Sequence, residues 1–223
     1  MGKFWLLMTL ALSIGCGKKQ EPAPPTAGQL PVPAPAPEAV DPRPAIVVFG
    51  DSISAGFGLD TGQSFPDILQ QDLDSRGLKY RIVNMGVSGD TTQDGLSRLS
   101  LALAEKPRVV LLELGGNDGL RGIPASITQQ NLSQMIEAFQ AAGARVVLAG
   151  MTLPPNYGAP FIAKFEAVYK DVARRYSVTL IPFLLDGVGG HDEFMQRDGL
   201  HPNAAGARKV EAIVIKSLAP LLK

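Results

Sequence analysis

The sequence predicts an α/β fold in which a parallel sheet of five strands carries helices on both faces. Short apolar segments rich in Val and Ile recur along the chain, bounded by Gly or Pro, which is typical of strands buried on both faces. Segments with the spacing of an amphipathic helix separate them, and this alternation favours parallel strands. The five predicted strands span residues 45–49, 81–84, 109–114, 145–149 and 178–182.

The predicted helices carry apolar residues three or four positions apart, which places these residues on one helical face. In the first of them, Phe65, Leu69 and Leu73 share a face, Pro66 stands near the start and Gly77 follows the end. Apolar stripes of this kind are expected to face the core rather than a membrane. The other predicted helices lie at residues 96–103, 132–139, 161–172 and 210–218.

The composition excludes several classes of protein. The 223 residues include 21 basic and 21 acidic side chains, so no basic surface for nucleic acid is expected. Apolar residues make up 45% of the chain, which is enough for a folded core. Cys16 is the only cysteine, so an internal disulfide and a Cys-rich metal site are excluded. Any chemistry that needs an imidazole has two candidates, His191 and His201.

Residues 1–15 are predicted to be a signal peptide of the lipoprotein type. Lys3 precedes an apolar run at residues 4–14, which is shorter than the roughly 20 residues that a membrane-spanning helix needs. The run ends at Gly15 and Cys16, and this junction resembles a bacterial lipoprotein signal, although Ser13 stands where an aliphatic residue is usual. The prediction is therefore export across the inner membrane and anchoring by a lipidated Cys16, in the periplasm or at the cell surface. The alternatives are ordinary cleavage of the signal and a buried N-terminal helix.

Residues 16–44 are predicted to form a linker behind this anchor, and residues 45–223 the folded domain. Nine of the 18 prolines fall within residues 20–44, many separated by Ala, a composition that favours extended polyproline II. At about 3.1 Å per residue such a segment reaches at most roughly 85 Å. A Pro-rich ligand for a partner domain is the alternative.

Residue types suited to acyl chemistry follow the predicted strands. Ser52 comes directly after the first strand and needs a base to act as a nucleophile. His201 is the better base, because Pro202 holds it out of a helix and Asp198 is close enough to orient its imidazole. His191 lacks an upstream partner and is expected on a surface loop.

Acyl transfer also requires donors for the developing oxyanion. The candidates are the backbone N–H of Ser52, the backbone N–H of Gly86 and the side-chain amide of Asn117, all predicted on loops at one rim of the sheet. No Gly-x-Ser-x-Gly motif surrounds Ser52. Each motif alone is also consistent with a turn or a helix cap, with Asn203 as the cap of the last helix. It is their joint order after successive strands that favours catalysis.

Taken together, these motifs resemble the SGNH-hydrolase (GDSL-esterase) superfamily, whose four namesake residues match Ser52, Gly86, Asn117 and His201. The similarity is close to the bacterial branch of thioesterases, lysophospholipases and arylesterases and covers about residues 45–220. Ile53 replaces the Leu of the family's short name. The matching segments lie at residues 50–52, 84–92, 114–122, 151–158 and 198–203.

The resemblance implies a flavodoxin-like three-layer α/β/α fold and a serine esterase or thioesterase that acts on aryl esters, acyl thioesters and lysophospholipids. It implies no cofactor. It further implies that residues 119–124 form a mobile loop over the acyl site and that residues 151–158 line that site. The substrate-binding residues expected on this basis are Gly119, Leu120, Arg121, Ile123, Pro154, Pro155 and Tyr157.

Two other functions remain open at this level. A non-enzymatic nucleotide or flavin binder shares the fold class, but the chain lacks both Gly-x-Gly-x-x-Gly and Gly-Lys-Ser/Thr. A deacetylase of cell-wall or other polysaccharide would keep the same triad, and the predicted tether favours it. Acyl transfer to an acceptor other than water is a weaker variant. A metal site is not expected, because Asp51, Asp90, Asp94 and Asp118 are better explained as caps and turns.

Overall fold

A computed structural model of the chain describes residues 41–222. The strands are β1 (Ala45–Gly50), β2 (Arg81–Gly86), β3 (Val109–Glu113), β4 (Arg145–Ala149) and β5 (Thr179–Ile181). The helices are α1 (Ser52–Ala55), α2 (Phe65–Ser75), α3 (Thr92–Ala104), α4 (Gly116–Leu120), α5 (Ala125–Ala141), α6 (Ala159–Tyr176) and α7 (Ala204–Leu218). Single 3-10 turns occur at Pro155–Tyr157 and Ala219–Leu221.

The five strands form one parallel sheet in the order β2-β1-β3-β4-β5. Strands β1 and β3 are buried along their whole length, which explains why their sequences are continuously apolar rather than alternating. Helices α3, α5 and α6 pack together on one side, and α2 packs with α7 on the other. The predicted three-layer fold with a five-stranded parallel sheet is confirmed.

The apolar stripes of the helices contribute to the core as predicted. Leu132, Met135, Ile136 and Phe139 of α5 are fully buried, and Phe49 of β1 meets Phe139 edge to face with ring centroids 5.7 Å apart. Within residues 41–222, no helix is both long and apolar enough to span a bilayer.

Two expected loops are short helices instead. Ser52 is the first residue of α1, and Asn117 lies within α4. Gly86 is the last residue of β2, so the prediction that all three lie on loops is wrong. The Asp51 carboxylate accepts the N–H of Ile53 at 3.0 Å and so begins α1. Gly115, whose φ of 113° favours glycine, begins α4. Helices of one turn are too short to show a periodic pattern in the sequence.

Side-chain caps fix the start of α2, α3 and α7. Thr91 and Asp94 form a reciprocal capping box at α3, and Ser64 caps α2 next to Pro66. Asn203 caps α7 by accepting the N–H groups of two residues in its first turn, as the sequence predicted. These caps determine where the polypeptide leaves each connecting segment and enters a helix.

Strands β1 and β3 are neighbours in the sheet, but the chain leaves them in opposite directions, to β2 and to β4. This is the topological switch point, where α/β sheets of this order bind ligands at the carboxyl ends of the strands. Ser52 follows β1 and Asn117 follows β3, so both lie there. The predicted signal peptide, Cys16 and nearly all of the predicted linker lie outside the described residues.

Candidate active site

Ser52, His201 and Asp198 form a hydrogen-bonded chain. The Nε2 atom of His201 lies 2.9 Å from Ser52 Oγ, and its Nδ1 atom lies 2.7 Å from Asp198 Oδ2. Ser52 and His201 are 149 positions apart in the sequence, so only the fold brings them together. A hydroxyl, an imidazole and a carboxylate in this order can transfer a proton away from the hydroxyl oxygen.

The Asp198 carboxylate is held in place by its own turn. Its Oδ1 atom accepts the backbone N–H groups of Leu200 and His201, at 2.9 and 3.0 Å. Partial burial by itself raises the pKa of Asp198, but the hydrogen bonds from His201 and from these N–H groups outweigh it and lower the pKa below its ordinary value. The aspartate therefore stays ionised and accepts a hydrogen bond from Nδ1–H of His201, which favours the tautomer with the proton on Nδ1.

The three expected oxyanion donors lie around Ser52 but differ in whether they already donate a hydrogen bond. The Ser52 N–H has no acceptor among residues 41–222. The Gly86 N–H donates to the Asn84 side chain at 3.0 Å. The Asn117 amide donates to the Asp90 carbonyl at 2.9 Å and to the Asp51 carboxylate at 3.2 Å. A bound oxyanion therefore competes with existing acceptors for two of the three donors.

Gly86 occupies a position that has no space for a side chain. A Cβ atom there would lie 2.3 Å from the Ala55 backbone nitrogen and 2.8 Å from the Asp51 carbonyl oxygen. Asn84 reinforces this close approach, because its amide donates to the Ser54 carbonyl at 2.8 Å. The end of β2 is thus packed directly on the backbone of α1, which brings the Gly86 N–H next to the serine.

Two buried carboxyl groups, those of Glu113 and Asp51, lie at the turn that presents Ser52. Glu113, at the end of β3, is fully buried, and its Oε2 atom accepts the Asp51 N–H at 3.1 Å and the Ser54 hydroxyl at 2.7 Å. Its Oε1 atom has no hydrogen-bond partner among the described residues. Burial raises the pKa of Glu113 well above its ordinary value, and the nearby charge of Asp51 raises it further. Burial also raises the pKa of Asp51, to about 6.

Arg98 of α3 joins the ends of β1 and β2. Its guanidinium donates to the Gly50 carbonyl at 2.8 Å, to the Met85 carbonyl at 2.7 Å and to the Asp90 carboxylate at 2.6 Å. It also lies 4.2 Å from the centroid of the Phe49 ring. Sequence reasoning missed this residue, because a single Arg on a predicted helix has no local motif around it.

Asp118 anchors the residue next to the Asn117 donor. The side chain is 1% exposed and accepts the N–H of Thr92 at 2.8 Å, together with the hydroxyls of Thr92 and Thr128. Asn131 completes the group by donating to the Thr92 hydroxyl at 3.0 Å. This buried network fixes α4 against α3 and α5. Asp118 is therefore structural, as the sequence suggested, although it accepts from the first residue of a helix rather than capping it.

A largely apolar cavity of about 520 Å³ opens beside Ser52 and His201. This volume lies within the range of pockets that bury a small organic ligand. Of the seven expected substrate-binding residues, Leu120, Pro154 and Pro155 line it. The walls that the sequence did not indicate come mainly from the segment after β5 and from the loop before His201: Phe183, Leu185, Gly189, Gly190, Met195 and Leu200.

The other four expected residues do not line the cavity, although Tyr157 and Gly119 contact residues that do. Tyr157 donates its hydroxyl to the Leu120 carbonyl at 2.9 Å, and Arg121 donates to the Gly89 carbonyl at 2.7 Å. The Ile123 N–H donates to the Asp118 carbonyl at 2.9 Å. A Cβ atom on Gly119 would lie 2.6 Å from the Leu153 side chain, so this glycine lets α4 pack behind the wall.

Two further observations concern the remaining candidates. His191 is exposed, as expected of a surface loop. Within residues 41–222, no group of three His, Cys, Asp or Glu side chains is placed to hold a metal ion.

A Ser–His–Asp chain at the switch point of a three-layer α/β fold defines the class as serine hydrolase. Residues 48–209 match the GDSL-like Lipase/Acylhydrolase family, and the chain belongs to this family. The resemblance stated from the motifs is thus confirmed.

Named relatives agree with this assignment. The chain is 49% identical over 178 residues to "Esterase TesA" of Pseudomonas aeruginosa, covering 79% of this chain and 89% of that protein. It is 39% identical over 178 residues to "Thioesterase 1/protease 1/lysophospholipase L1" of Escherichia coli, covering 79% and 84%. The crystal structure of TesA superposes with a TM-score of 0.78 at 49% identity, covering 80% of this chain and 99% of that one. This chain is therefore an enzyme, a serine esterase/thioesterase.

Proposed function

We propose that Ser52 is the nucleophile of this hydrolase, that His201 is its general base and acid, and that Asp198 orients His201. The observation that carries the proposal is the hydrogen-bonded chain of these three side chains at the mouth of an apolar cavity. Alternative roles for the serine, such as phosphate binding in a nucleotide site, leave both the imidazole and the apolar cavity unexplained.

The proposed reaction has two steps. His201 Nε2 accepts the Ser52 proton while Oγ attacks the acyl carbonyl carbon, and the imidazolium then gives that proton to the leaving oxygen or sulfur. Water, deprotonated by His201, next attacks the acyl-enzyme carbonyl carbon. The bond to Ser52 Oγ then breaks, His201 returns the proton to Oγ, and the carboxylic acid is released. The oxyanion of each tetrahedral intermediate accepts hydrogen bonds from the N–H groups of Ser52 and Gly86 and from the Asn117 amide. No cofactor takes part.

The acyl chain of the substrate is proposed to occupy the 520 Å³ cavity. Its apolar walls match a hydrocarbon chain, and its volume is far more than an acetyl group fills. These features favour acyl esters, acyl thioesters and lysophospholipids over acetylated polysaccharide. Leu120, Phe183 and Met195 are the apolar side chains that the chain would contact.

The chain-length profile tests this assignment of substrate. The full-length enzyme would be assayed on p-nitrophenyl esters and acyl-CoA thioesters of two to sixteen carbons, and on acetylated xylan. The expected result is a kcat/KM that rises with chain length beyond acetyl, because each buried methylene adds about 0.8 kcal/mol of binding. Activity on acetylated glycan with none on longer acyl esters would overturn the proposal in favour of a deacetylase.

We also propose that Cys16 is lipidated after export and that residues 17–44 connect the anchor to the catalytic unit. Support comes from the apolar run before Gly15-Cys16 and from the Pro-rich composition that follows. Metabolic labelling with an alkyne fatty acid is the test, followed by membrane fractionation. Wild type and Ser13→Leu are expected to carry the label in the membrane fraction. Cys16→Ala is expected to lose it, and label retained on Cys16→Ala would contradict lipidation at this residue.

A further inference from the structure

Phe57 is a large apolar side chain held next to His201 with much of its surface in solvent. Its ring centroid lies 4.6 Å from that of the imidazole, at an interplanar angle of 39°. The side chain is nevertheless 50% exposed, so the ring covers the imidazole but leaves an open apolar surface beside it.

The loop around Phe57 is built to hold the ring in this position. Gly56 and Gly58 have φ angles of 73° and 72°, which favour glycine, and a Cβ atom on Gly58 would lie 2.3 Å from the Gln196 side chain. Gln196 donates to the Phe57 carbonyl at 2.6 Å and to the Pro202 carbonyl at 3.0 Å. The same side chain therefore ties the Phe57 loop to the segment that carries His201.

Phe57 contacts His201 from outside the lining of the acyl cavity. It does not line the 520 Å³ cavity, but lines a small separate void that shares Ser52, Ile53 and His201 with that cavity. These three residues thus lie between the acyl cavity and Phe57. In a substrate bound for attack by Ser52, the acyl chain and the leaving group extend from opposite sides of the carbonyl carbon. The leaving atom must also be near His201 Nε2, which protonates it.

We propose that Phe57 forms the leaving-group subsite of this enzyme and that the subsite favours an aromatic alcohol or thiol. An aryl ring next to the exposed face of Phe57 gains an offset-stacked or edge-to-face contact that a small alkyl group does not gain. The inference rests on the proposed function of Ser52 and His201, because they define which side of the carbonyl carbon the leaving group occupies.

The test compares two esters with the same acyl group, phenyl butyrate and ethyl butyrate. Full-length wild type would be compared with Phe57→Ala, Phe57→Leu and Leu101→Ala, the last being a control at an exposed apolar residue of α3, which is 61% exposed. Phe57→Ala is expected to lower kcat/KM for the phenyl ester about 3- to 10-fold more than for the ethyl ester. Phe57→Leu is expected to fall between Phe57→Ala and wild type, and Leu101→Ala to change neither ester.

A pH profile separates this role from a positioning role. If Phe57 only oriented His201, its removal would lower kcat/KM for the ethyl ester at least as much as for the phenyl ester, because ethoxide is the poorer leaving group and depends more on protonation by His201. It would also shift the acid limb of the profile. A loss on the ethyl ester equal to or greater than the loss on the phenyl ester, or no loss on the phenyl ester, would contradict the assignment of Phe57 to a leaving-group subsite. Failure of the proposed function has a different signature, since a folded wild type would then hydrolyse neither ester.

Discussion

Glu113 departs from the usual behaviour of a glutamate. It is fully buried under the β1–α1 turn, one of its oxygens has no partner among residues 41–222, and Asp51 lies beside it. An ionised carboxylate here would face both desolvation and a like charge. A protonated Glu113 instead has an O–H that it can donate to the neighbouring Asp51 carboxylate. We therefore expect Glu113 to be neutral when the site is assembled.

This expectation predicts a stability that depends on pH. Because the pKa of Glu113 is raised in the folded protein, its favourable contribution is complete below about pH 4.5 and is lost as pH rises towards the raised value. The glutamine in Glu113→Gln cannot ionise. At about pH 8 the free energy of unfolding of this variant is therefore expected to be about 1–3 kcal/mol higher than that of wild type. Denaturant unfolding at several pH values measures this difference.

Glu113→Ala is the matched control for the hydrogen bonds. It removes the acceptor of the Asp51 N–H and the Ser54 hydroxyl and leaves a cavity, so it is expected to be destabilised by about 2–4 kcal/mol at every pH. Parallel pH dependences in wild type and Glu113→Gln would show that Glu113 does not titrate in this range and would contradict the assignment.

At the scale of single elements, helices α2 and α7 meet around a second carboxyl group. Glu211 of α7 is 8% exposed, and Arg76, the residue that follows α2, lies near it. Burial raises the pKa of Glu211 to about 7, and the negative charge of Asp72 adds to the shift, while Arg76 opposes it. The α2–α7 contact is therefore expected to weaken as pH rises from about 4.5 to about 7.

Glu211→Gln tests this contact. The variant is expected to be about 1–3 kcal/mol more stable than wild type at about pH 8, because the cost of ionising Glu211 is absent, and equal to wild type near about pH 4. Thermal unfolding at the two pH values measures the difference, and Glu193→Gln, at an exposed glutamate, is the control. A Glu211→Gln variant less stable than wild type at both pH values would mean that the ionised carboxylate stabilises the contact.

Individual elements also show what sequence patterns can and cannot predict. Strand β1 was predicted because its six residues are uninterruptedly apolar up to Gly50, and α2 because its apolar spacing ends at a glycine. Helices α1 and α4 were missed because four or five residues span little more than one turn. The part of the cavity wall formed by Phe183 and Leu185 was not predicted, because neither residue belongs to a motif. Both follow β5, and only the order of the strands in the sheet brings them to the cavity beside Ser52.

At the scale of the whole molecule, the sheet order explains why the site could be predicted at all. Parallel strands end at one edge, so motifs that follow successive strands converge there, and Ser52 meets His201 across 149 positions. What this reasoning could not give is the hydrogen-bonding state of the donors. That the Gly86 N–H is already bound to Asn84, and the Asn117 amide to Asp90, depends on loop geometry rather than on residue type.

The most direct test of the account is the activity of the full-length enzyme without the Ser52 hydroxyl. We would measure kcat/KM for p-nitrophenyl butyrate in wild type, in Ser52→Ala and in Ser88→Ala, an exposed serine of the same rim, with circular dichroism to establish folding. We expect a loss of at least about a thousandfold in Ser52→Ala, and less than about a twofold change in Ser88→Ala. A folded Ser52→Ala that keeps activity within about tenfold of wild type would contradict the nucleophilic role of Ser52 and the triad built on it.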